Sequence, residues 1–282
     1  MKQILMFDTP LGNSGKGLVP QIGSICSKYP SNKVWLSSSK VGSYYKLLSL
    51  VGLEFLIEVE EAYDHLSKNF NASDSVLLVG FGNGAFSARI LTAVLNSQGL
   101  NLRLSGKEAL KRYLSDCPML VGSYVPPISV LLVADTTRTA TIPFSFEVIS
   151  WMFGSKKLEI QKVLENVESA YQVLAEDEED PELVPLLWRD IPEGSKVEQT
   201  WFKGSHMDIG GKSKNHDYFN KVLIWALEKL HNHGVEIDLD FLDNLAVEVK
   251  MSTPYFMSTP EAYKKSLIRV LLTGRKLKRL QI

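Results

Sequence analysis

Five residues, Gly80-Phe81-Gly82-Asn83-Gly84, constrain this chain more than any others. They follow the apolar run Val76-Leu77-Leu78-Val79 and precede the amphipathic stretch Ala85-Phe86-Ser87-Ala88-Arg89-Ile90-Leu91. The run predicts a buried strand, the stretch a helix, and the glycines a sharp turn between them. Short apolar runs of the same kind recur at 4–7, 34–36, 130–134 and 197–202. Between them, apolar residues step by three or four. Phe55, Val59, Ala62, Leu66 and Phe70 form one such face, and Ile160, Leu164, Val167, Tyr171 and Leu174 a second. Phe219, Leu223, Ala226, Leu227 and Leu230 form a third, ending near Gly234, which suits a left-handed C-cap. Strands alternating with helices predict a parallel sheet covered by helices on both faces, an α/β fold.

The chain reads as one domain over 1–282. Residues 136–196 are expected to form a helical cap over the C-terminal edge of the sheet, and 238–282, with Pro254 and Pro260, a C-terminal helical extension. A hydrophobic content of 45% is enough for one large core. A formal net charge of −1 gives no global field to draw the chain onto nucleic acid or an anionic membrane. The acidic run Glu176-Asp177-Glu178-Glu179-Asp180 reads as a solvated loop, and the basic Arg275-Lys276-Leu277-Lys278-Arg279 as a solvated tail with a partner contact as its sharper alternative. Cys26 and Cys117 make neither a disulfide framework nor a metal site, so no metal and no cofactor are expected. No apolar run approaches the roughly 18 residues of a membrane span. Residues 1–8 lack a signal-peptide pattern, and the expected location is intracellular.

The strand–turn–helix setting is that of the nucleophile elbow G-x-S-x-G, in which the turn lifts a serine hydroxyl above the sheet edge. At its centre stands Gly82, which has no side chain. The wider segment, residues 79–89, resembles the G-F-S-R-G-A-x-x-A-R signature of an α/β-hydrolase family of uncharacterised bacterial and fungal proteins that includes the phospholipase effectors of type VI secretion. Gln199-Thr200-Trp201-Phe202-Lys203-Gly204-Ser205-His206-Met207-Asp208-Ile209-Gly210-Gly211 resembles that family's Q-x-W-F-x-G-x-H-x-D-V-G-G block. Phe7-Asp8-Thr9, Ala62-Tyr63-Asp64-His65-Leu66, Ala134-Asp135-Thr136 and Leu186-Leu187-Trp188 are shorter echoes in the same order.

The resemblance implies a triad whose base is His206, with Asp135 or Asp8 as the orienting acid and Asp208, Gly210 and Gly211 supporting the histidine loop. Phe81, Asn83 and Gly84 would frame the elbow and its oxyanion site. Some relatives carry the acid on the elbow helix, where Thr92 stands here. The departures fall at the reacting centre: Gly82 for serine, Asn83 for arginine, Thr9-Pro10 for glycine-threonine, and Lys212-Ser213 for glycine-tyrosine. Ser87 and Cys117 offer no evident replacement nucleophile.

The expected function is that of a serine-hydrolase-type pseudoenzyme, inactive through loss of the nucleophile, that binds a protein or small ligand in the former substrate cleft. One alternative is a weak ester or phospholipid hydrolase using His206 and water. A second is a nucleotide-binding module, since Gly80-x-Gly82-x-x-Ala85 also fits the dinucleotide fingerprint. That fingerprint wants a carboxylate about 20 residues on, and 100–105 supplies none. Gly12-Asn13-Ser14-Gly15-Lys16-Gly17 lacks the spacing and hydroxyl of a phosphate loop.

Overall fold

The computed structural model describes residues 1–8, 17–37, 53–137, 160–180, 183–189, 191–211, 216–249 and 256–257. Its centre is a sheet in the order β2-β1-β3-β4-β5-β6-β7. The strands are β1 (Lys2–Phe7), β2 (Asn32–Leu36), β3 (Ser75–Phe81), β4 (Ile128–Ala134), β5 (Ser169–Ala175), β6 (Lys196–Phe202) and β7 (Phe256–Met257). The first six are parallel and the short β7 adds antiparallel to β6. Six parallel strands place their C-terminal ends along one edge. The order reverses between β1 and β3, and beside such a crossover a parallel sheet opens a crevice.

Alternate strand residues feed two cores, which is why these strands read as continuous apolar runs. Leu5, Phe7, Val76, Leu78, Leu131, Val133 and Ala170 pack under α2 (Phe55–Asn69), α3 (Asn83–Gln98) and α4 (Gly106–Leu114). Ile4, Met6, Leu77, Val79, Val130, Leu132 and Val173 pack under α1 (Leu18–Cys26) and the later helices α6 (His216–Asn232) and α7 (Leu239–Glu248). The four-residue α5 (His206–Ile209) lies between β6 and α6. Helix α6 ends as its periodicity predicts. Gly234 takes φ 78°, and the Val235 N–H reaches back 3.1 Å to the Leu230 carbonyl.

One predicted helix is overturned. The stepping Ile160, Leu164, Val167, Tyr171 and Leu174 belongs to a loop followed by β5, a strand inside the sheet between β4 and β6. The described part of 136–196 is therefore that strand, the start of β6 and connecting loop, not a helical cap. The stretch 138–159 lies outside the described residues, as do Thr9-Pro10, the glycines of 12–16, Lys212-Ser213, Pro254, Pro260 and the basic tail. The expected helical extension contains α7 and then a strand, β7. No helix among the described residues is long and apolar enough to cross a membrane.

Helix α3 starts hard against the sheet. A Cβ on Gly84 would lie 2.3 Å from the Phe7 carbonyl oxygen and 2.9 Å from the Asp8 nitrogen, and one on Gly80 would lie 2.6 Å from the Ala85 Cα. In an open helix, Gly→Ala is favourable by about 1 kcal/mol. Here the neighbours are backbone and cannot swing aside, so overpacking opposes it by about 3 kcal/mol. Gly84→Ala should therefore lower stability by up to about 2 kcal/mol, read as a lower urea midpoint at unchanged m. A midpoint that stays or rises would show that α3 does not pack so closely on β1.

Candidate functional site

Gly82 sits between β3 and α3 with φ 58° and ψ −122°. Side-chain-bearing residues avoid that region, which only glycine enters at little cost. The turn is locked from the neighbouring strand. The Gly82 N–H donates to the Ala134 carbonyl (3.0 Å), and the Gly82 carbonyl accepts from the Thr137 N–H (3.3 Å) and the Phe86 N–H (3.2 Å). These bonds fix residue 82 beside the end of β4, where Asp135 begins the next loop.

Asp135 is fully buried and takes a left-handed φ of 44°. Its N–H donates to the Val173 carbonyl at 2.7 Å, and its Oδ1 accepts the Ala175 N–H at 3.1 Å. Thus β5, the strand hidden in the sequence, aims this carboxylate. The other oxygen, Oδ2, lies 2.6 Å from Nδ1 of His206. Burial pushes the Asp135 carboxyl above the ordinary aspartate range, against the pull of His206 and the Ala175 N–H.

His206 opens α5 and is 6% exposed. Its ring lies over Phe81 at 4.5 Å between centroids and 30° between planes. With Nδ1 engaged by Asp135, Nε2 is the ring nitrogen with no bond to a described residue. The loop that presents it is braced twice. Ser205 and Asp208 form a capping box, in which Asp208 Oδ2 accepts both the Ser205 N–H and its hydroxyl at 2.8 Å. Gly210 then passes so close to Phe81 that a Cβ there would lie 2.4 Å from the ring. Gly211 follows it with φ 81° and donates its N–H to the Asp208 carbonyl at 3.2 Å.

The second brace comes from the acidic run, which is an exposed loop as expected at Asp177, Glu179 and Asp180 but also carries backbone and carboxylate contacts to the histidine loop. The Glu176 and Asp177 N–H groups donate to the Phe202 and Gly204 carbonyls at 2.8 and 3.1 Å. Asp177 Oδ2 accepts the Gly204 N–H at 2.9 Å, and Glu178 Oε2 accepts the His206 N–H at 2.9 Å. Lys203 Nζ lies 3.3 Å from Glu176 and 3.6 Å from Asp177. Residues 176–178 are a strap that carries the β5–β6 pairing up to the histidine, with Asp177, Glu179 and Asp180 exposed.

Of the two candidate acids, the structure brings Asp135 to the imidazole. Asp8 follows β1 on the same edge, its backbone nitrogen under Gly84. Thr92 donates its hydroxyl to the Ala88 carbonyl within α3. Ser87 donates to Glu58 Oε2, and Cys117 Sγ approaches only the Ser115 carbonyl, at 4.0 Å. Cys26 is buried, its thiol pushed up to about 12 by loss of solvent.

Two residues escaped the sequence reading. Glu54 and Glu58, at the start of α2, are 2% and 4% exposed. Glu54 Oε1 accepts from Asn83 Nδ2 at 2.6 Å, directly beside the elbow. Their signal was a pair of carboxylates four apart next to the apolar face of Phe55, Val59 and Ala62. No cluster of three metal-ligating side chains occurs among the described residues.

The raised Asp135 carboxyl makes a pH prediction. A carboxyl whose folded pKa exceeds its unfolded value of about 3.9 stabilises the fold when protonated. That contribution is complete below the unfolded value and is lost as pH rises through the folded one. Thermal unfolding from pH 3.5 upward should show that decline in the wild type, and Asp135→Asn should lack it. Parallel Tm–pH curves for the two proteins would contradict the assigned burial cost.

With this geometry in place, the chain matches the family model "T6SS, Phospholipase effector Tle1-like, catalytic domain" over residues 2–124 and 120–229. Among solved structures it is similar to an uncharacterised protein from Pseudomonas aeruginosa, at 10% identity over 96% of this chain and 50% of that one, TM-score 0.49. It is also similar to the Tle1 effector bound to the VgrG spike of the type VI secretion system, at 14% identity over 74% of this chain and 51% of that one, TM-score 0.43. The chain thus spans about half the length of each. No match is found among curated proteins. On the family match, which covers most of its length, the chain belongs to the Tle1-like phospholipase effector catalytic-domain family.

Proposed function

We propose that this domain is a lipase-lineage pseudoenzyme that binds an ester-bearing or protein ligand at the C-terminal edge of its sheet without forming an acyl-enzyme. One observation carries the reading. The turn between β3 and α3 has the backbone of a nucleophile elbow, beside an assembled Asp135–His206 pair, and its central residue has only a hydrogen atom as its side chain. In this reading Gly82 is the vestigial nucleophile position, His206 the base, Asp135 its orienting acid, and the N–H of Asn83 an oxyanion donor. Phe81 supports the imidazole, and Asp208, Gly210 and Gly211 hold its loop.

The assembled pair also favours a second reading, slow hydrolysis by a water that His206 activates. Removing a triad serine costs on the order of 10⁶ in turnover, and oxyanion stabilisation with binding leaves about 10³–10⁴ over water. General-base help of this kind is worth about 10²–10⁴. The nucleotide-binding alternative loses ground, because the carboxylate just beyond the strand that follows the glycine turn is Asp135, bonded to His206.

Gly82→Ser is the decisive variant. A serine at φ 58° carries backbone strain of about 1–3 kcal/mol, so its Tm should fall. Turnover of fluorogenic esters or short-chain phospholipids should rise at least about 100-fold over the wild type and vanish again in Gly82→Ser/His206→Ala. A wild type that already turns over these substrates, and loses that in His206→Ala, would replace the binding role with the water mechanism. A serine variant that folds and stays inert would sink both readings of this edge.

A further inference from the structure

At the opposite edge of the sheet from Gly82, the loops at the two ends of α4 lie side by side. Helix α3 runs away from the elbow to Gln98, and the segment between α3 and α4 then meets the segment that leads into β4. Leu100 and Tyr124 pair antiparallel, exchanging N–H to carbonyl bonds at 2.7 and 2.9 Å. Asn101 Nδ2 donates to Ser123 Oγ at 3.1 Å. Each loop also closes a tight turn. The Leu104 N–H donates to the Asn101 carbonyl at 3.0 Å, and the Ser123 N–H to the Leu120 carbonyl at 3.2 Å. Asn101 Oδ1 accepts the Arg103 N–H at 3.0 Å, and Gly122 takes φ 84°. Leu102 and Val121 thus stand at the corners of two adjoining turns, 89% and 98% exposed.

Turn corners are ordinarily taken by proline or short polar residues. A single exposed leucine needs no explanation, but two bare aliphatic side chains on paired turns have no cause in the chain's own packing. Met119 and Tyr124 are exposed beside them, with Tyr124 stacked on Phe70 at 5.8 Å between centroids. Arg112 braces the second loop, donating Nε to Gln98 Oε1 at 3.2 Å and Nη2 to the Pro118 carbonyl at 2.6 Å. The surrounding charge is basic. Residues 99–124 carry Arg103, Lys107, Lys111 and Arg112 against Glu108 and Asp116, in a chain of net charge −1. Arg103, Lys107 and Lys111 are exposed and pair with no described carboxylate, whereas Glu108 is folded into a capping box with Ser105.

We propose that these paired turns are a docking surface for an anionic lipid bilayer, with Leu102 and Val121 entering the acyl boundary and Arg103, Lys107 and Lys111 meeting the headgroups. Shape favours a bilayer over a protein. The apolar groups project as knobs, and even a Cβ on Gly122 between them would meet no atom within 4 Å. A fluid surface takes such knobs without matching pockets. The basic side chains gain from lipid anions within a Debye length, about 10 Å at 0.1 M salt. Tyr124 supplies the amphipathic ring that suits the headgroup level. The attraction is local, since the chain as a whole provides no such field. Docking here leaves Gly82 and His206 on the far edge of the sheet from the bilayer, so this surface stands or falls independently of the function proposed there.

The test is flotation of the full chain with lipid vesicles. The wild type should float with equimolar phosphatidylcholine and phosphatidylglycerol at low salt and far less with phosphatidylcholine alone. Sodium chloride at about 1 M, where the Debye length falls to about 3 Å, should release it. Leu102→Asp/Val121→Asp should weaken binding at least about tenfold, and Arg103→Glu/Lys107→Glu/Lys111→Glu by a similar factor. These positions are all exposed, so each variant should keep the wild-type urea midpoint. Should a variant lose stability, the dependence of the wild type on lipid charge and salt decides alone. Absence of flotation overturns the proposal. So does binding that ignores lipid charge or that the folded aspartate variant retains. Sedimentation velocity addresses the other occupant: a dimer that the aspartates dissolve, without flotation, would make this face an interface between two copies instead.

Discussion

The approach of α3 to the end of β1 is the constraint on which the rest of the site depends. Because residue 84 has no Cβ, the first turn of α3 slides under the Phe7 carbonyl. The chain must then reverse within residues 81–83, and only a positive φ at 82 makes that reversal. The reversal in turn presents the Gly82 N–H and carbonyl to the end of β4 and the loop after it, where the backbones of Ala134 and Thr137 bind them. Asp135 therefore emerges beside the turn as a consequence of backbone pairing. Glycine inside a helix costs about 1 kcal/mol in propensity. Deep packing of Ala85, Phe86, Ala88, Ile90 and Leu91, all at 2% exposure or less, outweighs that several times over.

A buried carboxylate is a more demanding arrangement than a buried helix. Asp135 has lost all contact with solvent, and this alone would favour its neutral form. Its N–H and its Oδ1 each bond the backbone of β5, and a 2.6 Å bond to Nδ1 of His206 uses its second oxygen. The partner is held with equal insistence, by a ring contact below, a capping box and the Glu178 carboxylate on its own N–H. Structural stability offers little reason for so much restraint, since a buried ion pair is seldom better than an apolar pair of similar volume. What the restraint secures is the orientation of one imidazole.

Much of this was legible in the sequence, for identifiable reasons. Strands β1, β3 and β4 are buried on both faces and so appear as unbroken apolar runs. The glycine turn is legible because close backbone approach leaves no other residue type at positions 80 and 84. Strand β5 was not. It mixes the buried polar Ser169 and Gln172 with apolar residues, and the Gln172 Nε2 donates to the Leu186 carbonyl in the loop beyond β5. Tyr171 and Leu174 fall by chance into step with Ile160, Leu164 and Val167, which the structure assigns to the preceding loop. The bracing contacts of the acidic run are hidden in the sequence for a related reason. Its acceptors serve donors 27 or 28 residues away, at Gly204 and His206, and no local pattern announces such partners. Glu54 is the same case, with Asn83 29 residues on.

The placement of Gly82 within so complete a frame bears on how such a site would treat a ligand. An active hydrolase spends much of its binding energy only in the transition state, when a nucleophile has closed on the carbonyl and charge has developed on its oxygen. Under the proposed reading, a turn without a nucleophile lacks that event but keeps its backbone donors, the oriented imidazole and the rigid edge. Interactions otherwise reserved for a fleeting tetrahedral species are then available only to ground-state ligands. A ligand that already carries negative charge at the former carbonyl position gains most, because preorganised donors meet it without reorganisation. Under the proposed reading, a turn that carries no hydroxyl at residue 82 leaves this edge to ligands bound in their ground state.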